Sequence, residues 1–308
     1  MPIPKTTGTL VPEEATAPPG PSGSASSLTR LLSIFDLFHV DRHTIHLEDV
    51  IAQLGVGRST GYRYLQELTD AGFLAQLGKG VYSLGPRIVQ LERLLQLTDP
   101  LLLAGRAVMD EFLPGGANRA VMLCTLFRDR VLCLHQVGAE SILQGSIRAT
   151  VERARGTALP LFTGAGSQII LAHLPPHRAR SLYLSNQAQI ADAGLGTDWA
   201  TFRQNLARMR KAGFAVTWRP GTPPVAGIAV PIFRPDAQVV GSLVLLLTES
   251  AADPETEQRH EALVTLLRAK AAAIQGKLSE LDGASGPFDR NGNRNGSSNG
   301  NGNGSTVR

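Results

Sequence analysis

The sequence predicts an α+β protein with an N-terminal winged helix-turn-helix, a linker helix, and a C-terminal antiparallel sheet domain with flanking helices. The chain has 308 residues, of which 43% are hydrophobic, so it can form two separate cores. Three segments with helical apolar spacing and a short hairpin come first. Strand pairs interspersed with helices follow from Val121 onward.

Composition excludes several classes of protein. The longest strongly apolar stretch, Val239 to Leu247, is interrupted by glycine and serine and is far shorter than the roughly 20 residues of a membrane-spanning helix. The first residues have no apolar run of an export signal, so we expect a cytoplasmic protein. Cys124 and Cys133 are the only cysteines and are expected to be reduced and buried. A net charge of +4 suggests an anionic partner without identifying it.

Changes in composition predict the domain boundaries. Residues 1–26 are rich in Pro, Gly, Ser and Thr, and residues 283–308 consist largely of Asn, Gly and Ser, so both tails are expected to be disordered. Between them we expect a winged helix-turn-helix at 27–85, a linker helix at 86–98 and the sheet domain at 99–282.

The first block predicts three helices. The expected buried face of the first helix is Leu28, Leu31, Leu32, Phe35 and Phe38. A shorter helix between Leu47 and Leu54 has the same spacing and is broken by glycines. In the third helix, from about Arg58 to Ala71, the expected inward residues are Gly61, Tyr64, Leu65 and Leu68.

The outward face of the third helix carries polar groups that suit base edges and phosphates. Its stripe consists of Ser59, Tyr62, Arg63 and Gln66, at positions i, i+3, i+4 and i+7. Tyr62 and Tyr64 differ by about 200° around the helix, since neighbouring positions differ by about 100°, so we place Tyr62 outward and Tyr64 inward.

A hairpin of Phe73–Leu77 and Val81–Leu84 follows, with Lys79 at its tip, and completes a winged helix-turn-helix. In that fold the third helix enters the major groove of double-stranded DNA and the wing meets the backbone. Residues 27–96 contain seven Lys or Arg and seven Asp or Glu, so the local placement of cations, rather than the net charge, supports DNA binding. The predicted DNA-binding residues are Arg58, Ser59, Thr60, Tyr62, Arg63, Gln66, Lys79 and Arg87.

The remaining elements are a linker helix and a domain of strands and helices. Pro86 begins the linker helix, with Ile88, Leu91 and Leu95 on one face. A second helix is expected from Asp99-Pro100 to about Leu113. Expected strands are Val121–Phe127, Val131–Val137, Gly145–Val151, Phe214–Trp218, Val225–Phe233 and Val239–Leu247, and expected helices begin near Gly164, Thr197 and Thr256, the last ending near Leu281.

Three separated segments, Arg58–Leu68, Val81–Arg87 and Arg155–Leu161, resemble the IclR family of transcriptional regulators. Two later segments, Ala212–Ala215 and Gly227–Phe233, are also similar to it. The resemblance covers Ser27 to Leu281. It implies a GAF-like C-terminal domain that binds a small organic acid or aromatic metabolite, and a homodimer or homotetramer.

The resemblance also implies a set of effector-binding positions. They are Val151, Leu159, Ala165, Gly166, Thr217, Val225, Gly227, Val244 and Leu246. Val244 and Leu246 are apolar where the family pattern has polar groups, and Thr217 replaces an acid, which implies a less polar or different effector. The backbone amides near Ala165 and Gly166, at a helix N-terminus, could still hold an anion.

An enzyme and a metalloprotein are the alternatives from other classes. An enzyme could use Cys133 and His135, which lie two apart on one predicted strand face, but no third residue is identified that would orient the histidine, and a buried structural thiol is favoured. Metal sites at His39, His43 and His46, or at His173 and His177, fit their predicted elements poorly. We therefore expect no catalytic residues, no cofactor and no metal.

A further alternative is an architectural DNA-binding protein whose second domain only dimerises, with an apolar interior that is simply core. The preferred hypothesis is a regulator in which a homodimer binds a pseudo-palindromic operator. Effector binding would shift the placement of the DNA-binding domains through the linker helix.

Overall fold

The computed structural model describes residues 26–39, 41–112, 119–138, 141–144, 147–150, 155–219, 225–248 and 256–285. The chain divides into two compact units, one ending at Thr98 and the other beginning at Asp99. Among the described residues, no helix is both long and apolar enough to cross a membrane. The two tails predicted to be disordered lie outside the described residues, except for Ser26 and for residues 283–285, which continue the last helix.

The N-terminal unit consists of helices and a small antiparallel sheet. Its helices are α1 (Ser27–Leu32), a 3₁₀ helix (Ser33–Leu37), α2 (Leu47–Leu54), α3 (Arg58–Asp70) and α4 (Pro86–Thr98), and its strands are β1 (Ile45–His46), β2 (Leu74–Gly78) and β3 (Val81–Leu84). The sheet order is β1-β3-β2. Strand β1 was not predicted, because two residues are too few to show an alternating pattern.

The predicted first helix differs from the observed one. The α-helix ends at Leu32 and the chain continues as a 3₁₀ helix, so the predicted single buried face is wrong. Leu28 and Leu32 are more than half exposed, whereas Ile34 and Leu37 are buried. A 3₁₀ helix has 3.0 residues per turn instead of 3.6, so its buried positions fall out of step with the preceding helix.

Helix α3 has the two faces that its sequence predicts. Gly61, Tyr64, Leu65 and Leu68 are its buried residues. A Cβ atom at Gly61 would lie 3.1 Å from Leu47 Cδ1, so the glycine allows α2 to pack closely against α3. The pair of helices is therefore held by the inward face, and the opposite face of α3 is left in solvent.

The wing is anchored to the end of α3 by backbone contacts. Gly85 donates its N–H to the Phe73 carbonyl at 2.8 Å, and Arg87 donates its N–H to the Gly72 carbonyl at 3.0 Å. A Cβ atom at Gly85 would lie 2.2 Å from the Gly72 oxygen, so only glycine permits this approach. The contact fixes where β3 ends and where α4 begins.

Helix α4 exposes most of its apolar side chains. Of the three residues predicted on one face of this helix, Ile88 and Leu91 are half-buried and Leu95 is more than half exposed. Val89 is 72% exposed, and Leu94 and Leu97 are also more than half exposed. None of the α4 residues is buried.

The C-terminal unit is a three-layer arrangement of helices and sheet. Its strands are β4 (Arg119–Phe127), β5 (Arg130–Gly138), β6 (Ser141–Gln144), β7 (Ile147–Thr150), β8 (Ala158–Pro160), β9 (Ala215–Arg219), β10 (Val225–Phe233) and β11 (Val239–Thr248). Its helices are α5 (Pro100–Met109), α6 (Ala165–Ala172), α7 (Pro176–Ser185), α8 (Gln187–Asp192), α9 (Trp199–Ala212) and α10 (Thr256–Ser285).

Six of the described strands form an antiparallel sheet in the order β8-β5-β4-β11-β10-β9, and β6 pairs with β7 alone. One face of the sheet shares a core with α6, α7, α8 and α9, and the other shares a core with α5 and α10. Strands β10 and β11 are therefore buried on both faces, which explains their nearly continuous apolar sequences.

Several boundaries in this unit differ from the predictions. Helix α5 ends at Met109, and Leu113, its predicted end, lies outside the described residues. The predicted strand at 145–151 corresponds to β7, and both of its predicted end residues lie outside the described residues. Helices α7 and α8 and strands β6 and β8 were not predicted. Pro176 begins α7, because proline is compatible with the first helical position.

The packing of α5 on the sheet predicts a stability change at Gly105. A Cβ atom there would lie 2.4 Å from Cδ2 of Leu123, which is fully buried, so Gly105→Ala should destabilise the C-terminal unit by about 1–3 kcal/mol. A Cβ atom at Gly276 on α10 would meet no described atom within 4 Å, so Gly276→Ala should stabilise by about 0.5–1 kcal/mol. Thermal unfolding of the full chain measures both, and equal shifts would contradict this packing.

The two faces of α3 predict effects of very different size at two nearby tyrosines. Tyr64 is 5% exposed and Tyr62 is 56% exposed. Tyr64→Ala should destabilise the N-terminal unit by about 3–5 kcal/mol, because it empties a packed aromatic site. Tyr62→Ala should change stability by less than about 0.5 kcal/mol. Helical circular dichroism during denaturation tests the pair, and a large loss for Tyr62→Ala would reverse the assigned faces.

Candidate functional site

The outward face of α3 gathers most of the residues that the sequence assigns to DNA binding. Five side chains are exposed and Thr60 is half-buried; the exposed ones are Arg58, Ser59, Tyr62, Arg63 and Gln66. They occupy the first three turns of the helix. This face therefore presents two guanidinium groups, a phenol, hydroxyls and an amide from one rigid element.

These side chains have weak partners within the protein. Arg58 Nη1 lies 3.2 Å from Glu48 Oε1, and Arg63 Nε lies 3.9 Å from Glu67. Gln66 donates to Asp70 at 2.8 Å. Exposed pairs of this kind contribute about 0–1 kcal/mol, so a phosphate or a base edge can replace the carboxylate at little cost. Glu67 and Asp70 also confine the cationic part of α3 to its N-terminal half.

The wing places two further predicted residues at opposite ends of β3. Gly78 pairs with Val81, so Lys79 and Gly80 form a two-residue turn, and Gly80 has a φ of +77°. Lys79 is exposed at the tip. Arg87 is exposed in the first turn of α4, where its Nη1 donates to Gln90 at 3.3 Å.

The register of the large sheet brings together several predicted effector-binding residues. Thr217 lies opposite Gly227, and Gly227 lies opposite Leu246, so these three form a row across β9, β10 and β11. Val244 lies in the next row, opposite Ala229. Directly opposite residues share a sheet face, so these side chains lie on the face that packs against α6.

Helix α6 begins directly above these rows. A Cβ atom at Gly227 would lie 3.7 Å from the Ala165 Cβ and 3.5 Å from Thr217 Oγ1. A Cβ atom at Gly166 would lie 2.6 Å from Val244 Cγ2. Gly166 therefore permits the close approach of the helix N-terminus to the sheet, whereas a Cβ at Gly227 would make only ordinary van der Waals contact. Ala165, Gly166, Thr217, Gly227, Val244 and Leu246 form one cluster, here called the α6 site.

Three predicted effector residues do not belong to the α6 site: two lie elsewhere on the sheet, and one lies outside the described residues. Val225 lies one row further along β10 from Gly227, opposite Thr248. Leu159 lies opposite Val131, near the tip of the β4–β5 hairpin. On the neighbouring strand β4, Leu126 lies opposite Val131, and Ala120 lies in the Gly227 row. These two positions are six residues apart, so Leu159 lies roughly 20 Å along the strands from the Gly227 row. Val151 lies outside the described residues.

The N-terminus of α6 has donors that its own helix leaves unpaired. The first intrahelical bond runs from the Gln168 N–H to the Gly164 carbonyl at 3.0 Å, and no side chain of the described residues caps the helix. The N–H groups of Ala165, Gly166 and Ser167 therefore have no intrahelical acceptor, and the helix dipole adds partial positive charge. An anionic oxygen would be stabilised here.

Two polar groups on this side of the sheet were missed by the sequence analysis. Ser167 is 2% exposed, and its Oγ has no hydrogen-bond partner among the described residues. Gln136 Oε1 is also buried without a partner there. Gln136 lies opposite Met122, which lies opposite Val244, so it belongs to the second row of the sheet face. The sequence signal for Gln136 was a polar residue within an apolar strand. The sheet face on which it lies could not be deduced without the strand register.

The structure corrects the predicted pairing of Cys133 with His135. A β-bulge at the level of Leu123 and Cys124 places Cys133 opposite Cys124 and His135 opposite Leu123, so the two side chains lie on opposite faces. His135 Nε2 lies 3.5 Å from Asp110 Oδ1. Burial lowers the pKa of His135, although Asp110 acts in the opposite direction. The thiol and imidazole cannot act together.

Histidines in the described ranges do not form metal sites. Within those residues, no group of three or more His, Cys, Asp or Glu side chains could hold a metal ion. His173 Nδ1 lies 2.9 Å from the Ile169 carbonyl oxygen, and burial lowers its pKa, with Arg210 adding to the effect.

A separate cleft of about 310 Å³ lies between α6, α9, β10 and α10. It is lined by His173, Arg210, Phe233, Arg268 and Gln275, among others, and by none of the predicted effector residues that the structure describes. Arg268 donates to the Ala212 carbonyl at the end of α9 and lies over the Phe214 ring, which gives it a structural role.

Comparison with known proteins identifies both units. Residues 27–78 match the IclR helix-turn-helix domain, and residues 106–275, more than half of the chain, match the bacterial transcriptional regulator IclR C-terminal domain. The HTH-type transcriptional regulator KipR of Bacillus subtilis (strain 168) is 22% identical over 256 residues, which cover 82% of this chain and 96% of KipR.

Two solved structures have a similar fold. The structure of a putative IclR transcriptional regulator from Silicibacter sp. TM1040 has a TM-score of 0.66 and 24% identity, covering 82% of this chain and 96% of that one. An IclR homologue from Microbacterium hydrocarbonoxydans, complexed with 4-hydroxybenzoate, has a TM-score of 0.58 and 24% identity, covering 83% and 100%. With both of its domains matched, this chain belongs to the IclR family of DNA-binding transcriptional regulators and is not an enzyme.

Proposed function

We propose that this regulator binds operator DNA through α3 and the wing, and that a small organic metabolite bound at the α6 site modulates the binding. The observation that carries the DNA part is the separation of faces on α3. Its apolar face is buried in the core of the unit, while its polar face is exposed and has only weak internal partners.

Each residue type on this face has a role in DNA recognition. Arg63 and Gln66 suit base edges in the major groove, because guanidinium and amide groups can make bidentate hydrogen bonds to guanine and adenine. Ser59, Thr60 and Tyr62 can donate to phosphates or base edges. Arg58, Lys79 and Arg87 lie at the start of α3, at the wing tip and at the wing exit, where backbone phosphates would run.

A homodimer is the expected binding unit. Helix α4 leaves Val89, Leu94 and Leu97 exposed, and an exposed apolar stripe on a helix is stabilised by a second copy of the same surface. A dimer would bind a pseudo-palindromic operator with half-sites about one helical turn or a multiple apart. Two dimers could pair into a tetramer.

The α6 site supports a carboxylic or aromatic metabolite as the effector. Its sheet floor is apolar at Val244 and Leu246, and the uncapped amides of α6 can bind a carboxylate. The Microbacterium homologue holds 4-hydroxybenzoate, which has both an aromatic ring and a carboxylate. The effector would act by binding two arrangements of the DNA-binding units with different affinities, with residues 86–98 as the coupling element. Because the proposed target is operator DNA, we expect the protein to act in the cytoplasm.

An architectural protein without an effector is the second candidate. In that case the α6 side of the sheet would be ordinary core. The buried Ser167 Oγ and Gln136 Oε1, which have no partner among the described residues, argue against it, because polar groups in a true core are nearly always hydrogen-bonded. Ligand-dependent thermal stabilisation distinguishes the two, since only a regulator with a ligand site is stabilised.

The interface predicts that Arg63→Ala weakens DNA binding without unfolding the protein. We expect a loss of about 1–3 kcal/mol on a specific operator, because one base or phosphate contact is removed from an exposed side chain. Gel-shift titration with DNA from upstream of its own and neighbouring genes, against nonspecific competitor, measures it. Arg203→Ala, an exposed position on α9, is the control and should bind like the unmodified chain. Unchanged affinity for Arg63→Ala would remove this residue from the interface.

The wing predicts a different effect for Lys79. Lys79→Ala should reduce the slope of log affinity against log salt concentration by about one, because one phosphate contact releases about one counterion. The ranking of operator sequences should stay the same, since a phosphate contact carries no base information. Titrations between roughly 50 and 200 mM salt test this, because the effect is large over that range. An unchanged slope would place the wing tip off the backbone.

A further inference from the structure

Cys124 and Cys133 face each other across two neighbouring strands. They are direct partners in the antiparallel pairing of β4 with β5, immediately beyond the β-bulge. Directly opposite residues share a sheet face, and both cysteines belong to the core cluster on the α6 side of the sheet. They are the only cysteines of the chain, and the structure holds both as thiols. The strand pairing therefore brings together the two side chains that a disulfide needs.

The backbone hydrogen bonds show which kind of antiparallel pair the cysteines form. The Cys133 N–H donates to the Thr157 carbonyl at 3.1 Å, and the Cys133 carbonyl accepts from the Gly156 N–H at 2.8 Å, both on the side away from β4. The Cys124 carbonyl points toward β11, since a Cβ atom at Gly241 would lie 2.2 Å from its oxygen. The two cysteines are therefore a non-hydrogen-bonded pair, in which opposite side chains are closest.

Counting from the hairpin turn gives the same result. Phe127 pairs with Arg130 across a two-residue turn, and the pair that closes such a turn is hydrogen-bonded. The two kinds of pair alternate, and the cysteines form the third pair beyond the closing one. Their Cα atoms are therefore expected about 4.5 Å apart, within the range of about 4.4–6.8 Å that disulfides span. The strands need not move for a bond to form.

The cysteine pair lies beneath the N-terminus of α6. A Cβ atom at Gly166 would lie 3.8 Å from Cys124 Sγ. Cys133 Sγ lies 3.5 Å from the His135 carbonyl oxygen. Both cysteines are at most 1% exposed, so the intact sheet shields them from large reagents. A bond between them would join β4 to β5 directly below the helix.

The edge of the sheet offers a route to Cys133. Strand β8 has only three residues and is the last strand on that side of the six-stranded sheet. Cys133 pairs with the chain just before this strand, at Gly156 and Thr157. Short edge segments open locally at a lower free-energy cost than central strands, because fewer contacts hold them. Such an opening exposes Cys133 to a small oxidant while β4 stays between β5 and β11.

We propose that Cys124 and Cys133 are an oxidation site at which hydrogen peroxide forms an intramolecular disulfide. One cysteine, as the thiolate, attacks a peroxide oxygen and displaces hydroxide, which takes up a proton to become water and leaves a sulfenic acid. The second cysteine attacks the sulfenic sulfur, so that the S–S bond forms and a second water leaves. Peroxide takes up the two electrons that the sulfurs lose. Dithiothreitol restores both thiols.

The disulfide should stabilise the folded C-terminal unit. It closes the loop of residues 124–133, which restricts the unfolded chain more than the folded one, where the two strands are already paired. We expect the oxidised chain to melt about 3–10 °C above the reduced chain. This site stands on the strand pairing alone and does not depend on the proposed effector function.

Peroxide treatment of the full chain tests the site. The chain is oxidised, unfolded, labelled with N-ethylmaleimide and weighed, before and after dithiothreitol. We expect loss of two hydrogens, no maleimide label, and recovery of two labels after reduction. Trypsin cuts at Arg128 and Arg130, between the cysteines, so the bond should appear as two linked peptides. Two labels after oxidation, a sulfinic acid on one cysteine, a disulfide between chains, or a lower melting temperature of the oxidised chain would overturn the proposal.

A matched variant separates the strand pairing from the mere presence of two thiols. The double variant Cys124→Ala, Thr125→Cys keeps two thiols but moves one to the opposite face of β4, because neighbouring strand residues face opposite ways. It should form the intramolecular disulfide at least about tenfold more slowly, since the thiols no longer meet in the folded sheet. The single variant Cys133→Ala should keep one label under all conditions. Equal rates for the double variant and the unmodified chain would show that the bond forms in unfolded protein, and would overturn the proposal.

Discussion

The close packing of α6 on strands β10 and β11 is the constraint on which the proposed ligand site depends. Gly166 allows it, because a Cβ there would lie 2.6 Å from Val244 Cγ2. The Ser242 hydroxyl donates to the Gly166 carbonyl at 3.0 Å and holds the contact. The uncapped amides of the helix are thereby fixed above an apolar sheet face, where they are stronger electrostatic donors than in water.

The N-terminal unit uses the same device for a different purpose. Gly61 lets α2 approach α3, and Gly85 lets the wing exit approach the turn after α3. These contacts use only the inward side of α3, so the outward side can carry side chains chosen for recognition instead of packing. In both units, glycine at a close contact positions polar groups elsewhere on the same element.

The sequence predicted elements well where one regular period decides the structure. The four inward residues of α3 and the bounds of β10 follow directly from helical spacing and from a continuous apolar run. It failed where the period changes within an element. The 3₁₀ segment after Leu32 moved the buried face to Ile34, and the bulge in β5 moved His135 to the face opposite Cys133. Long-range pairing was also beyond the sequence: the place of Gln136 in the same row as Val244 depends on the pairing of β5 with β4 and of β4 with β11. Ser167 is notable only because its hydroxyl is buried without a partner among the described residues.

The proposed function requires that one chain couples DNA binding to the binding of a small molecule. The most direct measurement is a titration of the full chain against operator DNA at fixed salt, with and without a saturating ligand found by thermal shift. We expect specific retention and a change in operator affinity of about 1–3 kcal/mol, which is typical of coupling between two sites. Specific retention that is identical with and without a bound ligand would contradict it.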